Sequence, residues 1–552
     1  MGKTWSAPAT AGVLGLVLAS LLMMWLAPAG RAYAASGLGV SQQQNLINQD
    51  RAAAGLGALN WSDCLAAVAV QNAQRIMAQG YLSHTNGPTL DLNCGVGASQ
   101  GGENIAYMSG GINEDQANSM FMNSAPHKAN ILGPYQYVAT AWAVAPNGYA
   151  YVAEEFLGAS NIVVPSGFHS VPPARILDTR TGLGGVPAAR LGSGASLTVR
   201  VAGGGGVPLS GLAAVVLNVT VTNTTATGYL TVYPKEDPRP NASNLNWSAG
   251  QTVANLVQVA VRGSGQVTIY NAAGAADVIF DVAGFVPTTT GTPGPDGLFN
   301  PLVPARILDT RNGNGAVSAP VAGGQTISVQ VSGRGGVPVN GAAAVVLNIT
   351  GTDATTASFI TAFPAGTAMP VASNLNLAAG QTVPNRAIVK LGTGGKISFY
   401  NAAGSVNLIA DVAGWYTDGI SASSGATFTG VTPVRILDTR TGTGGFSAPV
   451  GPARTIAVTV AGWGGVPLMT STSPVPPVAV VLNVTAVNPT GNSYLTVFPD
   501  GAGQPLASDL NFSAGQTVPN LVVVRVGSNG VVDIFNAAGA TDVIADVVGW
   551  YG

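Results

Sequence analysis

The chain is 552 residues long, only 8% of them charged, with a formal net charge of −2. No basic run occurs, which argues against a phosphate-tracking nucleic-acid surface and against electrostatic docking on anionic lipid. Apolar residues at 47% argue against disorder, and 74 Gly with 35 Pro point to short strands and tight turns in about three to five domains.

Residues 1–35 read as a secretory signal. Lys3 supplies the positive start, Ala11 to Leu26 is nearly all apolar, and Ala32-Tyr33-Ala34 is a small-x-small cleavage pattern. The rival is a retained anchor, although the apolar stretch is near the lower length limit for a span. Pro28 and Gly30, ahead of the cleavage pattern, favour removal. Cleavage takes Lys3 and Arg31 away, leaving 20 basic against 24 acidic residues, a net −4, and no membrane span. The expectation is a secreted, extracellular protein that can associate with the cell surface.

Segment 36–160 reads as one α/β unit. Ser41 to Ala53 has helical periodicity and stops at Gly55. Ser62 or Asp63 caps a second helix to about Ala78, ended by Gly80, and Asn113 to Met122 is a third. Val138 to Val144 and Tyr149 to Phe156 alternate around Pro146-Asn147-Gly148, a β-hairpin signal. The two cysteines, Cys64 and Cys94, predict a disulfide closing a loop worth roughly 3.6 kcal/mol. Two Cys without CxxC spacing make a metal site the weaker alternative.

Beyond residue 160 one unit recurs three times. Arg175-Ile-Leu-Asp178-Thr-Arg180 returns as Arg306-Ile-Leu-Asp309-Thr-Arg311 and as Arg435-Ile-Leu-Asp438-Thr-Arg440. Val-Val-Leu-Asn ends at Asn218, Asn348 and Asn483, and Asp-Val-x-Gly-aromatic closes each copy around Asp281, Asp411 and Asp546. The modules span 168–287, 301–416 and 428–552, joined by Gly/Pro/Ser/Thr-rich linkers 288–300 and 417–427. Linkers of that length permit either packed modules or beads. Many short strands per module indicate an all-β sandwich or barrel. A carboxylate in each apolar closing strand needs a partner, and an Arg-to-Asp pair tying first strand to last is the structural reading; Ca²⁺ is the other, without the dense acidic loop that ion prefers. Tyr229, Phe359 and Tyr494, with Tyr233, Phe363 and Phe498, read as core, with a glycan-stacking platform as the alternative.

The candidate chemistry lies in the first unit. His84, His127 and, between them, Glu103 can bind a divalent metal or move a proton. The alternative is that both His are helix-end residues bonded to backbone. Asn48-x-x-Arg51, Gly55-Leu56-x-x-Leu59-x-Trp61, His84, Gly102-Glu103-Asn104-Ile105, Ser124-x-x-His127-x-x-Asn130-Ile131-Leu132 and Tyr151 to Phe156 occur in an order that resembles the CAP superfamily in its bacterial form (cysteine-rich secretory, antigen 5, pathogenesis-related-1). The resemblance covers roughly residues 41–157. It implies an α-β-α sandwich with a cleft lined by His84, Glu103 and His127. The β modules resemble those found in tandem in secreted proteins of actinobacterial type.

Many members of that family carry a second Glu on the helix before the second His. Phe121-Met122-Asn123-Ser124 offers none here, and Glu114 or Asp115 is the only nearby substitute. Three ligands with an open position would suit Zn²⁺. No Ser, Cys or Thr is marked as a nucleophile. The expectation is therefore a binding protein more than an enzyme, its cleft displayed on β modules that bind cell-wall polysaccharide, with a small apolar or lipid molecule as the cleft ligand. The alternative is a metal-assisted hydrolase using His84, Glu103 and His127, with the modules as targeting appendages.

Overall fold

The computed structural model describes residues 31–34, 42–84, 87–96, 98, 100–159, 161–290, 293–467, 469 and 476–552. The signal segment lies outside the described residues except for Arg31–Ala34, and cleavage after Ala34 would remove those four. No helix among the described residues is long and apolar enough to cross a membrane.

The elements of the first unit are β1 (Arg31–Ala34), α1 (Gln42–Ala53), β2 (Asn60–Trp61), α2 (Asp63–Gln79), α3 (Gly87–Asp91), β3 (Gly95–Val96), β4 (Gln100–Met108), α4 (Glu114–Met122), α5 (Ala125–Ile131), β5 (Tyr137–Val144), β6 (Ala150–Gly158) and β7 (Asn161–Pro165). Local chemistry sets the helix ends. Ser62 accepts the Leu65 N–H at the start of α2, and Gly80, at φ 76°, closes it by donating to Ile76 O. Asn113 caps α4 by accepting from Gln116 N–H. The sheet order is β1-β5-β6-β4, so β4 is an edge strand.

Strand alternation splits this sheet between two helical layers. Val138, Trp142, Val152 and Phe156 pack with Ile47 of α1, Phe121 of α4 and Ile131 of α5. Ala141, Ala143, Tyr151 and Ala153 pack with Ala69, Ala73 and Ile76 of α2. Small alanines on the second face let α2 approach closely. The Cys64–Cys94 disulfide ties the start of α2 to the turn before β3.

The first β module contains β8 (His169–Asp178), β9 (Ser196–Arg200), β10 (Leu212–Thr222), β11 (Gly228–Pro234), β12 (Leu245–Trp247), β13 (Val253–Ala260), β14 (Gln266–Asn271) and β15 (Asp277–Thr290). An inner sheet, β13-β10-β15-β8, faces an outer sheet, β12-β11-β14-β9, across a core of Val, Leu and Ile with Trp247 and Phe280. The same pair of sheets recurs around the cores of the second and third modules, with one short extra strand, Val321–Ala322, on the inner sheet of the second. The aromatic row is divided rather than wholly core. Tyr233, Phe363 and Phe498 are buried, but Tyr229, Phe359 and Tyr494 are 38%, 38% and 37% exposed. They share the outward parity of their strands, and Leu230 and Val232 take the inward one.

The modules are not beads. A fourth apolar cluster lies between them, drawn from the inner sheets of all three: Phe168, Phe299 and Phe428, with Val216, Val346 and Val481 around them. Polar bonds close the ring in one rotational sense. Asn218 Nδ2 donates to Ser373 O, Asn348 Nδ2 to Ser508 O, and Asn483 Nδ2 to Ser243 O. A second set runs through Asn385 to Asn218, Asn520 to Asn348, and Asn255 to Asn483, at 2.9, 2.9 and 3.1 Å. Each module therefore contacts both others about a pseudo-threefold axis. The first segment read as a linker is largely taken into strands, since β15 runs to Thr290 beside β7 and the next strand spans Asp296–Asp309, whereas the second lies mostly between strands that end at Asp418 and restart at Phe428. β7 also pairs with β3, which joins the first unit to the ring.

The symmetry is broken at one buried position. Arg386 stands where the sister modules have Leu256 and Leu521, and only 1% of its side chain is exposed. Its Nη2 lies 2.5 Å from Oδ1 of Asp509, which replaces Asn244 and Asn374.

Candidate functional site

Glu103 sits on edge strand β4, paired across to Glu155 of β6, and so points to the α2 side of the sheet. His84, in the segment after α2, places Nδ1 2.5 Å from Glu103 Oε2. The His84 side chain is 52% exposed and that of Glu103 is fully buried, so the carboxyl anchors an imidazole that stands at the surface. A carboxylate can only accept; His84 Nδ1 therefore donates, and Nε2 is the nitrogen left for a ligand. Glu103 Oε1 lies 4.0 Å from Arg75 Nη2.

His127, on α5, comes from the opposite layer. Its Nδ1 is 2.8 Å from Ser124 Oγ, and its ring lies 5.1 Å from that of Phe121. Burial first, then the nearby His84, hold its pKa below the ordinary value, which favours the neutral imidazole. The two His thus meet at the β4 edge from either face. Asn104 locks the arrangement: Nδ2 donates to His127 O and to Glu154 Oε2, and Oδ1 accepts from Asn130 Nδ2. Asn130 also donates to Glu103 O. Arg51 holds the end of α5 through Ile131 O and Gly133 O, both at 2.8 Å.

Glu114 and Asp115 do not enter the cleft. Asp115 accepts from Gln42 Nε2 at 2.9 Å, and Glu114, its pKa raised by burial, accepts from the Gln43 backbone. The acids that accompany the site are ones sequence reasoning missed: Asp91, Glu154 and Glu155, all fully buried. Glu155 takes Asn72 Nδ2 at 2.8 Å and neighbours Asp91 and Glu103. Burial raises Glu154 to about 7 and Asp91 to about 8, and lifts Glu155 well above the carboxylate range. Their signal was Glu154-Glu155 inside an otherwise apolar hairpin strand.

Among the described residues, no three His, Cys, Asp or Glu side chains converge as metal ligands. Zn²⁺, considered from the sequence, has no preformed set of donors here, since Glu103 Oε2 already accepts from His84. Ser124 Oγ bonds an imidazole, but its partner nitrogen is His127 Nδ1 one helical turn on, at the start of α5, and among the described residues no carboxylate is hydrogen-bonded to His127 in the manner of a triad.

In each β module the Arg/Asp motif forms one knot. Arg175 grips Asp281 through Nε at 2.9 Å and Nη2 at 3.2 Å, and Arg180 grips Asp178 at 2.8 and 2.6 Å. Arg306 and Arg311 repeat this on Asp411 and Asp309, and Arg435 and Arg440 on Asp546 and Asp438. Arg180 pulls the Asp178 pKa down, and burial pushes that of Asp281 up. Every one of these carboxylates already faces a guanidinium.

Residues 44–156 match the model of the cysteine-rich secretory protein family, CAP. A CAP domain therefore stands at the N-terminal side of a β-rich chain. Its disulfide fits an oxidising, extracellular compartment. No curated protein matches the chain. Structures with some likeness include two of an archaeal virus, Sulfolobus Turreted Icosahedral Virus and a triple jelly roll turret assembly. Each is 10% identical and covers 78% of this chain and 94% of its own, with a TM-score of 0.14. A CBM22 tandem from Paenibacillus barcinonensis Xyn10C is 11% identical over 46% of this chain and 100% of its own, with a TM-score of 0.13. At these scores the likenesses carry no argument.

Proposed function

We propose that this is a secreted or cell-surface binding protein. Its CAP cleft takes a ligand at His84 and His127, while the ring of β modules holds that cleft against cell-wall polysaccharide. The carrying observation is the His84–Glu103 pair. A buried carboxyl fixes an exposed imidazole at a sheet edge, a preorganised hydrogen-bonding group with no positioned nucleophile among the described residues. A small ligand with a polar end and an apolar body, such as a lipid, suits that imidazole beside the exposed Tyr81 and Leu82.

The test is co-sedimentation with purified insoluble cell wall, comparing the full chain with the CAP domain alone. The CAP domain has its own cores and disulfide, so it is expected to fold by itself. The full chain should pellet and the CAP domain should stay in the supernatant. Equal retention of the two would sink the display role.

A further inference from the structure

We propose that the outward face of each outer sheet carries a pyranose-stacking platform, and that the three platforms diverge so that one ring bridges separate strands of a neutral polysaccharide. This rests on the envelope-glycan reading above and names the site and ligand class. The platforms are Tyr229 with Tyr270, Phe359 with Tyr400, and Tyr494 with Phe535. Their ring centroids lie 6.3, 6.1 and 6.3 Å apart, tilted by 54°, 52° and 53°. Two rings at such an angle, the first of each pair more than a third exposed, form a shallow trough that suits the apolar C–H face of a sugar ring.

Three copies in one chain allow an internal comparison. Toward the far end of these sheets outward positions have changed chemistry: Arg200 answers to Gln330 and Thr459, and opposite them Gln266 answers to Lys396 and Val531, whereas Thr231, Thr361 and Thr496 beside the rings are kept. Thr268 answers to Ser398 and Asp533. The aromatic pairs remain aromatic although their first members are more than a third exposed. Large exposed rings kept where neighbours drift mark a contact surface.

Asn246, Asn376 and Asn511 stand directly across from those first rings in the strand register. Each Asn Oδ1 accepts from the Ser three residues earlier, which leaves the amide N–H groups for another partner. Asn376 Nδ2 is buried and has no hydrogen-bond partner, so it reaches a ligand once the side chain turns outward. Unspent donors beside an aromatic trough, edged mainly by Ser and Thr hydroxyls such as Ser196 and Thr326, call for a neutral polyhydroxylated ligand. In the first module Arg239 lies 4.0 Å over the Tyr270 ring, so Tyr229 is the open face there.

The layers fix the direction of the sites. The inner sheets face the shared axis and the outer sheets cover them, so the three platforms look away from one another. A single straight chain cannot lie on all three, but three chains of a mesh can.

The experiment uses the full-length protein with Tyr229→Ala, Phe359→Ala and Tyr494→Ala, singly and combined. Probes are insoluble glucan, mannan and arabinogalactan for pelleting, and a soluble form of the bound polymer for turbidity. Circular dichroism checks the fold, and Tyr229→Phe/Tyr494→Phe serves as a conservative control that keeps the rings. The wild type should pellet with at least one polymer, and the triple alanine variant should lose about tenfold in affinity while the Phe control retains it. The wild type should also turn the soluble polymer turbid, and a variant with one remaining platform should bind without turbidity. Wild-type protein that binds none of the three polymers, or a triple variant that binds as well as wild type, overturns the proposal. If the triple variant still pellets with native cell wall and the CAP domain alone does not, the platforms are wrong and the display role stands.

Discussion

Arg386→Leu is expected to destabilise the β ring by about 3–5 kcal/mol, read as a lower urea midpoint of the ring transition. The guanidinium reaches across from the second module to the third, where Nη2 meets Asp509 Oδ1 at 2.5 Å and Nε donates to Leu521 O at 3.1 Å. Removing it leaves a buried carboxylate whose remaining bond is the Val497 N–H to Oδ2. Burial already raises the Asp509 pKa against the pull of Arg386. The loss should therefore shrink in acid, where Asp509 takes a proton. Asp509→Asn alone should cost a similar amount by stranding Arg386. The double variant recreates the Leu256/Asn374 pairing found between the first and second modules, where Asn374 Oδ1 accepts from Ala362 N–H. It should return to wild-type stability or exceed it by about 1–4 kcal/mol. Additive losses in the double variant would mean that the two side chains are not coupled across the interface.

The CAP domain should lose stability as pH rises from about 4.5 to about 8. Glu154, raised from 4.5 to about 7 by burial, keeps a proton in the fold that the unfolded chain releases. Below the unfolded pKa both states are protonated and the fold suffers nothing. Above it the unfolded state is increasingly favoured, and the penalty is complete once pH passes the folded pKa. For Glu154 alone the shift of about 2.5 units corresponds to roughly 3 kcal/mol. Asp91, at about 8, adds in the same direction. Glu154→Gln should flatten much of this slope, because Gln43 Oε1 is buried without a partner and a rotated Gln43 amide can accept from the new N–H₂. Calorimetric melting of the CAP domain from pH 4.5 to 8.5 reads both chains; parallel curves would show that Glu154 is not the group responsible.

Much of this fold was legible from local rules. Ser62, Gly80 and Asn113 mark helix ends because each solves a backbone problem visible within four residues. His84, Glu103 and His127 were legible as a motif order, and β4 and α5 bring them to one edge. Ring closure was not legible, although its carriers were in view. Asn218, Asn348 and Asn483 ended a repeated apolar run, but a side chain that donates more than 150 residues away leaves no trace in periodicity. Glu154 and Glu155 were hidden for a related reason. Alternation predicts one wet face per strand, whereas β6 is buried on both sides by helices, so an acid there looks like a surface residue. The exposed Tyr229 row was read as core because period-2 patterning does not say which layer of a sandwich ends at solvent.

Small-angle X-ray scattering on residues 161–552 tests most directly whether the three modules form one body, on which the divergent platforms and the rigid display of the cleft depend. A single compact body of that length has a radius of gyration of about 21 Å. Three separate modules strung on flexible linkers would extend to about 35 Å. A value near the first, with a bell-shaped Kratky profile, is the predicted result. A value near the second would contradict the closed ring and the account built on it.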